Sequence, residues 1–294
     1  MGADFKPTVE NAPLQIFTSV EDDPALVAQI AHPSSWIIDT TTAEEVLTQV
    51  SADLHPSVRV IVTGGGFLTL EYPRVGVSPR VRRRPDFLDE LRAWTHAQVV
   101  SLAGALRETS DREFLIGVDV RVEEQGSGQF GLWVGRDETV LVSKRFPVGH
   151  EEEYLAGVDT TEDTSGPRIV RSSLGRVMIL VCHDAQAFNH RNLANVGRAQ
   201  RTTRRSRAAA EIARHIETNR PSWVFDLIHW IGGDANLRTF RTSFKQIHED
   251  RVFGPIVVGA FGYEDGAETE ATGWLAKLRH PAGASVVPVL IEME

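Results

Sequence analysis

The chain has 294 residues, one cysteine, ten histidines and a formal net charge of −9. A lone cysteine excludes an internal disulfide framework and any Cys-rich zinc module, and the negative balance argues against a general nucleic-acid binder. No apolar run approaches the ~18 residues of a membrane span, and the opening MGADFKPTVENAPLQ has no basic segment leading into an apolar one, so neither a membrane span nor a signal peptide is expected and the default location is the cytoplasm.

Taken in chain order, residues 1–33 are mixed and contain proline, with a short helix expected around Pro24–Ala31. After the apolar run Trp36–Asp39, Thr42–Asp53 reads as a helix with Val46, Leu47 and Val50 on one face. Val58–Thr63 (VRVIVT) is β-branched and stops at Gly64-Gly65-Gly66, as a strand running into a flexible loop does. The absence of a following Gly-Lys-Ser/Thr or GxGxxG pattern makes that triplet a turn rather than a phosphate cradle. A surface loop is expected through Glu71, Pro73, Pro79 and the basic run Arg80–Arg84.

Pro85–Glu108 is the clearest helix of the first half, with Phe87, Leu91, Trp94, Leu102 and Leu106 near one stripe. Phe114–Val122, Gly128–Val134 and Thr139–Ser143 then read as a meander of strands, and 145–168 as polar and irregular. Arg168–Ser172 and Val177–Val181 are strands, the second apolar throughout, as a strand buried on both faces is. Arg191–Thr218 is Arg- and Ala-rich and helical in pattern. Val224–Ile228, Pro255–Phe261 and Ser285–Ile291 read as strands and Ala235–Val252 as a helix, with Pro288 suggesting an edge position. With no repeat, low-complexity segment or linker, the simplest architecture is one α/β domain over residues 1–294.

Cys182 ends the buried strand and precedes His183-Asp184. A lone cysteine can be a small buried hydrophobe, but reactive groups in α/β proteins gather where strands end, because the strand is rigid and the next turn presents the side chain. Asp184 can cap that turn and orient backbone N–H donors toward an oxyanion. Lys144 closes the strand-like TVLVSK, and an ammonium beside a thiol lowers its pKa and stabilises developing negative charge.

These segments resemble the nitrilase superfamily of carbon–nitrogen hydrolases. GRVMILVCHDAQAF (Gly175–Phe188) resembles its nucleophile segment, and VSKRFPVGHEEEY (Val142–Tyr154) its lysine segment. The resemblance implies an α/β (α+β) fold, a four-layer α-β-β-α sandwich, with a helical insertion over 193–219. It also implies hydrolysis of a small amide, carbamoyl or nitrile substrate through a thioester, without metal or organic cofactor, by a homodimer or larger homo-oligomer. Cys182 takes the nucleophile's place and Lys144 the oxyanion-stabilising lysine's. The family's glutamate base follows the first-half strand in a Pro-Glu dipeptide, which is missing here, and Glu71 is the best match by spacing. A second glutamate often follows the lysine, and among Glu151, Glu152 and Glu153 the spacing selects Glu152. His183 replaces an aromatic residue that borders the substrate, either shaping the pocket or standing as an ordinary surface histidine.

The missing Pro-Glu leaves a second class open, a non-catalytic binding or sensing protein on the same scaffold. The histidines His183/Asp184/His190, His229 and His248/Asp250 lack the spacing of a metal site, and the basic run Arg198–Arg207 reads as a solvated helix face.

Overall fold

The computed structural model describes residues 14–16, 25–73, 85–122, 126–146, 168–188, 204–249 and 254–291. In chain order the strands are β1 (Leu14–Ile16), β2 (Val27–Pro33), β3 (Val60–Val62), β4 (Leu68–Glu71), β5 (Glu113–Arg121), β6 (Ser127–Val134), β7 (Thr139–Ser143), β8 (Ile169–Ser172), β9 (Gly175–Val181), β10 (Trp223–Ile231), β11 (Ile256–Tyr263), β12 (Arg279–His280) and β13 (Val286–Ile291). The helices are α1 (Thr40–Asp53), α2 (Pro85–Thr109), α3 (Arg204–Asn219), α4 (Asp234–Glu249) and α5 (Glu268–Leu275), and a 3-10 turn, Cys182–Phe188, follows β9.

The strands join in the order β7-β6-β5-β3-β2-β11-β10-β9-β8. The six middle strands β5, β3, β2, β11, β10 and β9 all run parallel. The sheet divides at β2, whose first residues pair with Val286–Leu290 of β13 while Ala31–Pro33 pair with β11. The two halves then lie face to face. A Cβ on Gly131 of β6 would stand 2.8 Å from Leu227 Cδ1 of β10 and 3.1 Å from Ile179 Cγ2 of β9, so glycine lets the halves approach there.

Three apolar cores separate four layers. In the first, Val46, Leu47 and Val50 of α1 and Leu91, Leu102 and Leu106 of α2 pack on Ile61, Phe114 and Ile116. The middle core is built from strands, with Val60, Val62, Leu115 and Trp133 facing Val177, Ile179, Val181, Phe225 and Leu227. In the third, Ile212 of α3, Phe240 and Phe244 of α4 and Leu275 of α5 cover Met178, Leu180 and Val224. The chain is therefore an α-β-β-α sandwich, as the resemblance implies. Strand β9 shows why VMILV is apolar at every position: odd residues enter the middle core and even residues the third. Each such side chain removed from water contributes roughly 1.5–3 kcal/mol.

Several elements differ from the sequence-based expectation. Pro24–Ala31 does not form a helix; Val27–Pro33 is strand β2, buried at all seven positions because sheet neighbours flank it on both edges and both faces are covered. The loop expected through Glu71 begins instead as β4, which pairs in parallel with Val118–Arg121 of β5. Helix α1 starts two residues early, at Thr40, because Asp39 caps it: its Oδ1 accepts from Thr42 N at 2.9 Å. Helix α5 and the short β12 add to the expected elements. Of the expected insertion over 193–219, residues 204–219 form α3, which buries Ile212 and Ile216 in the third core. Residues 189–203 and most of the polar stretch, 147–167, lie outside the described residues. Pro288 does not mark an edge: it pairs with Gln29 of β2, and the following residues Val289–Ile291 are joined by β1 on the other side of β13.

Candidate active site

In parallel α/β sheets, ligand sites form outside the carboxyl ends of the strands. Here those ends converge. The loop Gly64–Gly66 after β3 is tied to the end of β10 by Gly65 N donating to Ile228 O at 2.9 Å. A Cβ on Gly117 of β5 would lie 2.1 Å from Gly64 O, and one on Gly262 of β11 2.4 Å from His229 O. Only residues without a side chain admit backbones this close.

Cys182 stands at the centre of this edge. Its φ is +54°, the left-handed region that a residue with a Cβ rarely adopts. The chain therefore breaks from β9 sharply, and the thiol is swung off the strand rather than along it. Backbone held in this way clusters at functional sites. The thiol is 4% exposed, and its Sγ lies 3.1 Å from His183 Nδ1. Burial raises a thiol's pKa, but His183, Lys144 and His229 together outweigh it and hold Cys182 well below the usual thiol range.

Lys144 follows β7 directly and is 2% exposed. Two devices hold it near the thiol. Its N–H donates to Gln129 O of β6 at 2.9 Å, continuing the β6–β7 ladder. The next two residues are clamped by Asp184, whose Oδ1 accepts from Arg145 N at 2.8 Å and Phe146 N at 2.6 Å. The other carboxylate oxygen accepts from Val181 N at 3.2 Å and from Arg168 Nη1 at 2.7 Å, within a pair that is fully buried. Arg168 Nη2 donates to Ser143 O at 2.8 Å. The Arg168–Asp184 pair thus ties the ends of β7, β8 and β9 together. Both oxygens of Asp184 are thereby committed to protein donors. Arg145 in turn reaches Glu211 of α3 at 2.6 Å.

Of the residues expected from sequence, the structure therefore brings Cys182, Lys144, His183 and Asp184 together. It does not bring Glu71 to them. Glu71 is the last residue of β4, its side chain 69% exposed, with its carboxylate 3.4 Å from Arg121. Strand β4 is paired along β5, and that register directs Glu71 to solvent beside Arg121. Glu152 lies outside the described residues, as do His190 and Asp250 of the histidine clusters. Among the described residues, no group of three or more His, Cys, Asp or Glu side chains has the arrangement of a metal site. No helix among them is long and apolar enough to cross a membrane.

Sequence reasoning gave no part in this site to four polar side chains of the sheet, His229, Asp119, Asp226 and His32. His229 of β10 forms a short ion pair through Nε2 with Asp119 Oδ1 of β5. Burial opposes the charge on the ring, but Asp119 and Cys182 overcome it and raise its pKa to about 10. Asp226, also on β10, is fully buried, and neither carboxyl oxygen has a hydrogen-bond partner among the described residues. Burial, with Cys182 and Asp184 nearby, raises its pKa well above the ordinary carboxyl range and favours its neutral form. His32, next to last in β2, has its ring edge-on to Phe67 and tilted against Trp36. Their one signal in the sequence is that each is a polar residue within a mostly apolar strand.

His32 supplies a pH prediction. Burial lowers its pKa to about 4, despite the 3.0 Å contact of Nδ1 with Pro33 O, whereas the unfolded chain keeps the ordinary 6.5. Below the unfolded value the unfolded chain takes up a proton that the folded chain refuses. Stability is therefore expected to fall as pH drops from about 6.5 to about 4, by up to about 3 kcal/mol from this one group. His32→Phe keeps a ring but not the titration. Urea midpoints at neutral and mildly acidic pH should differ less for this variant than for the wild type, and equal differences would remove His32 from the acid response.

No protein-family model and no curated protein matches the sequence. Among solved structures, the chain is similar to an amidase from Nesterenkonia sp., at 14% identity over 83% of this chain and 79% of that one, with a TM-score of 0.47. A glutamate-to-glutamine mutant of that amidase, described as showing covalent addition of the acetamide moiety of fluoroacetamide at the active-site cysteine, is similar at 15% identity over 83% and 79%, also with a TM-score of 0.47. A CN-hydrolase superfamily protein from Xanthomonas campestris, described as carrying an arsenic adduct in its active site, is similar at 14% identity over 80% and 75%, with a TM-score of 0.43.

Proposed function

We propose that the chain is a nitrilase-superfamily hydrolase that cleaves a carbon–nitrogen bond in a small amide, carbamoyl or nitrile compound, with Cys182 as nucleophile. The observation that carries this reading is the setting of the thiol. It sits in a left-handed turn at the carboxyl edge of a buried strand, with Lys144 held beside it and its proton affinity well below that of an ordinary thiol. A thiol lowered in this way holds more thiolate at a given pH than an ordinary thiol, and the thiolate is the attacking form.

For an amide, the thiolate attacks the carbonyl carbon and the π pair moves to oxygen. Lys144 stabilises that oxyanion from a buried position, where a charge acts more strongly than in water. Expulsion of the amine leaves a thioester, and water then releases the acid and regenerates the thiolate. Asp184 and Arg168 support this chemistry by fixing the lysine loop to the nucleophile turn. His183, against the sulfur and edge-on to Phe240, is placed to border the acyl group. Glu152 stays in the reading as a second carboxylate after the lysine on its spacing alone. The exposure of Glu71 removes the support for its role as base. A cytoplasmic homodimer or larger homo-oligomer belongs to the same reading.

The test is the intermediate. Incubation with a panel of short amides and nitriles, followed by acid quench and intact mass measurement, is expected to show one acyl group per chain, placed on Cys182 by peptide mapping. Ammonia release without any acyl adduct at Cys182 would overturn the thioester route.

A further inference from the structure

We propose that His229, oriented by Asp119, is the general acid–base partner of Cys182, so that this site works as a Cys-His-Asp relay with Lys144 at the oxyanion. The inference rests on the hydrolase reading for its substrate and deepens it by naming the group that moves the proton.

Four observations lead to it. First, His229 is brought to the nucleophile by the sheet itself. Leu227 of β10 pairs with Val181 of β9, so His229 lies two positions beyond that pair on the strand beside Cys182. The β10–β11 register shifts between Ile228 and Ile231, at the residue in question, as happens where a strand re-aims a side chain. Second, Asp119 from β5 in the facing half binds Nε2. That fixes both the ring's orientation and which nitrogen remains for chemistry.

Third, the remaining nitrogen, Nδ1, is buried and has no hydrogen-bond partner among the described residues. A buried ring nitrogen left open while its sister is committed to a carboxylate is unusual for a structural histidine. It suits one that completes its bonds only when substrate is present, since catalytic hydrogen bonds often tighten in the complex. Fourth, Gly65 makes the room. A Cβ there would stand 2.4 Å from Nδ1, so any side chain at this position would displace the ring. The glycine loop after β3 thus offers no acid of its own and leaves the space that His229 occupies.

The proton accounting closes. His229 begins protonated and Cys182 as thiolate, each raising the charged form of the other. After attack, the C–N bond breaks and its electron pair takes the proton from Nδ1, so ammonia or an amine leaves neutral. The neutral ring then accepts a proton from the water that attacks the thioester. When the C–S bond breaks, the sulfur departs as thiolate, and the imidazolium is restored. Throughout, Nε2–H donates to Asp119. The groups that act on the ring are Asp119 from β5, Cys182 from the 3-10 turn, His32 from β2 and Asp226 from its own strand.

The test uses the full chain and 2-iodoacetamide as the probe. Because the chain has one cysteine, intact mass reports alkylation of Cys182 alone. The wild-type profile is expected to rise at lower pH than that of an ordinary thiol. His229→Gln is expected to slow labelling at about pH 6 by about tenfold or more and to move the profile toward the ordinary thiol range, with rates converging in alkali. Asp119→Asn, which keeps the side-chain shape, should move the profile the same way by less, and it serves if His229→Gln fails to fold. On any amide the wild type turns over, His229→Gln should lower kcat by about 10²–10⁴-fold. Wild-type labelling profiles in both variants would overturn the inference, as would a profile that moves only on His183→Phe. The two readings fail separately. An acyl adduct on Cys182 with an unchanged His229→Gln profile sinks the relay alone, whereas a shifted profile with no acyl adduct on any amide or nitrile upholds the pair and sinks the hydrolase.

Discussion

Cys182→Ala is expected to abolish carbon–nitrogen hydrolysis, with turnover falling roughly 10⁴-fold or more, while the chain still folds. The size of the loss follows from the route, since without sulfur there is no thioester, and Lys144 is left to stabilise an oxyanion that only water could generate. The fold is expected to survive because alanine removes only one heavy atom from this buried position of the third core. Cys182→Ser sharpens the result. It keeps the shape and the left-handed turn, but a hydroxyl next to Lys144 and His229 remains protonated at neutral pH, so its turnover should stay near that of Cys182→Ala. Ammonia release on the amide panel, with circular dichroism to establish folding, measures both variants. Turnover within about tenfold of wild type in either would rule out the sulfur as nucleophile.

How far the site was legible in the sequence depends on where each residue's signal lies. Cys182 and Lys144 could be read because each directly follows a largely buried strand, and the end of a buried strand is a local pattern. The four-layer arrangement came from the resemblance, because alternation of strands and helices does not say which faces meet. β2 was misread as helix since VAQIAHP has no polar alternation, which is the mark of a strand covered on both faces. Glu71 could be placed by spacing along the chain, but its direction depends on which strand β4 pairs with and in what register. Asp119 and His229 lie 110 positions apart and meet only because the two halves of the sheet face each other. Their local signal is real all the same: a charge within FLIGVDVR and polar groups within WVFDLIHW are costly on buried strands unless they are paired or put to use.

The second large effect is structural, and it comes from the same accounting of buried charge. Asp184→Asn is expected to destabilise the chain by about 3–5 kcal/mol, the usual cost of removing one partner from a buried ion pair. The carboxylate accepts from three backbone N–H groups, at Arg145, Phe146 and Val181, and from the Arg168 guanidinium. An asparagine offers one oxygen and turns an NH₂ toward the remaining donors, so at least one N–H pair would face another donor without an acceptor. Arg168, with no exposed surface, would keep its charge and lose its counter-ion. The loss is not confined to stability, because the same bonds hold the lysine loop against the Cys182 turn. Molecules that remain folded in the cold should label with iodoacetamide more slowly near neutral pH than the wild type, as Lys144 drifts from the thiol whose proton affinity it lowers. Arg168→Met supplies the comparison. It removes the cation but leaves all three backbone bonds to Asp184, so it should cost stability while leaving the labelling rate closer to wild type. Urea midpoints and labelling rates on the same samples separate these effects. A stability loss below about 1 kcal/mol for Asp184→Asn would mean that water or a rearranged loop satisfies the donors, and that the clamp does not hold Lys144 in place.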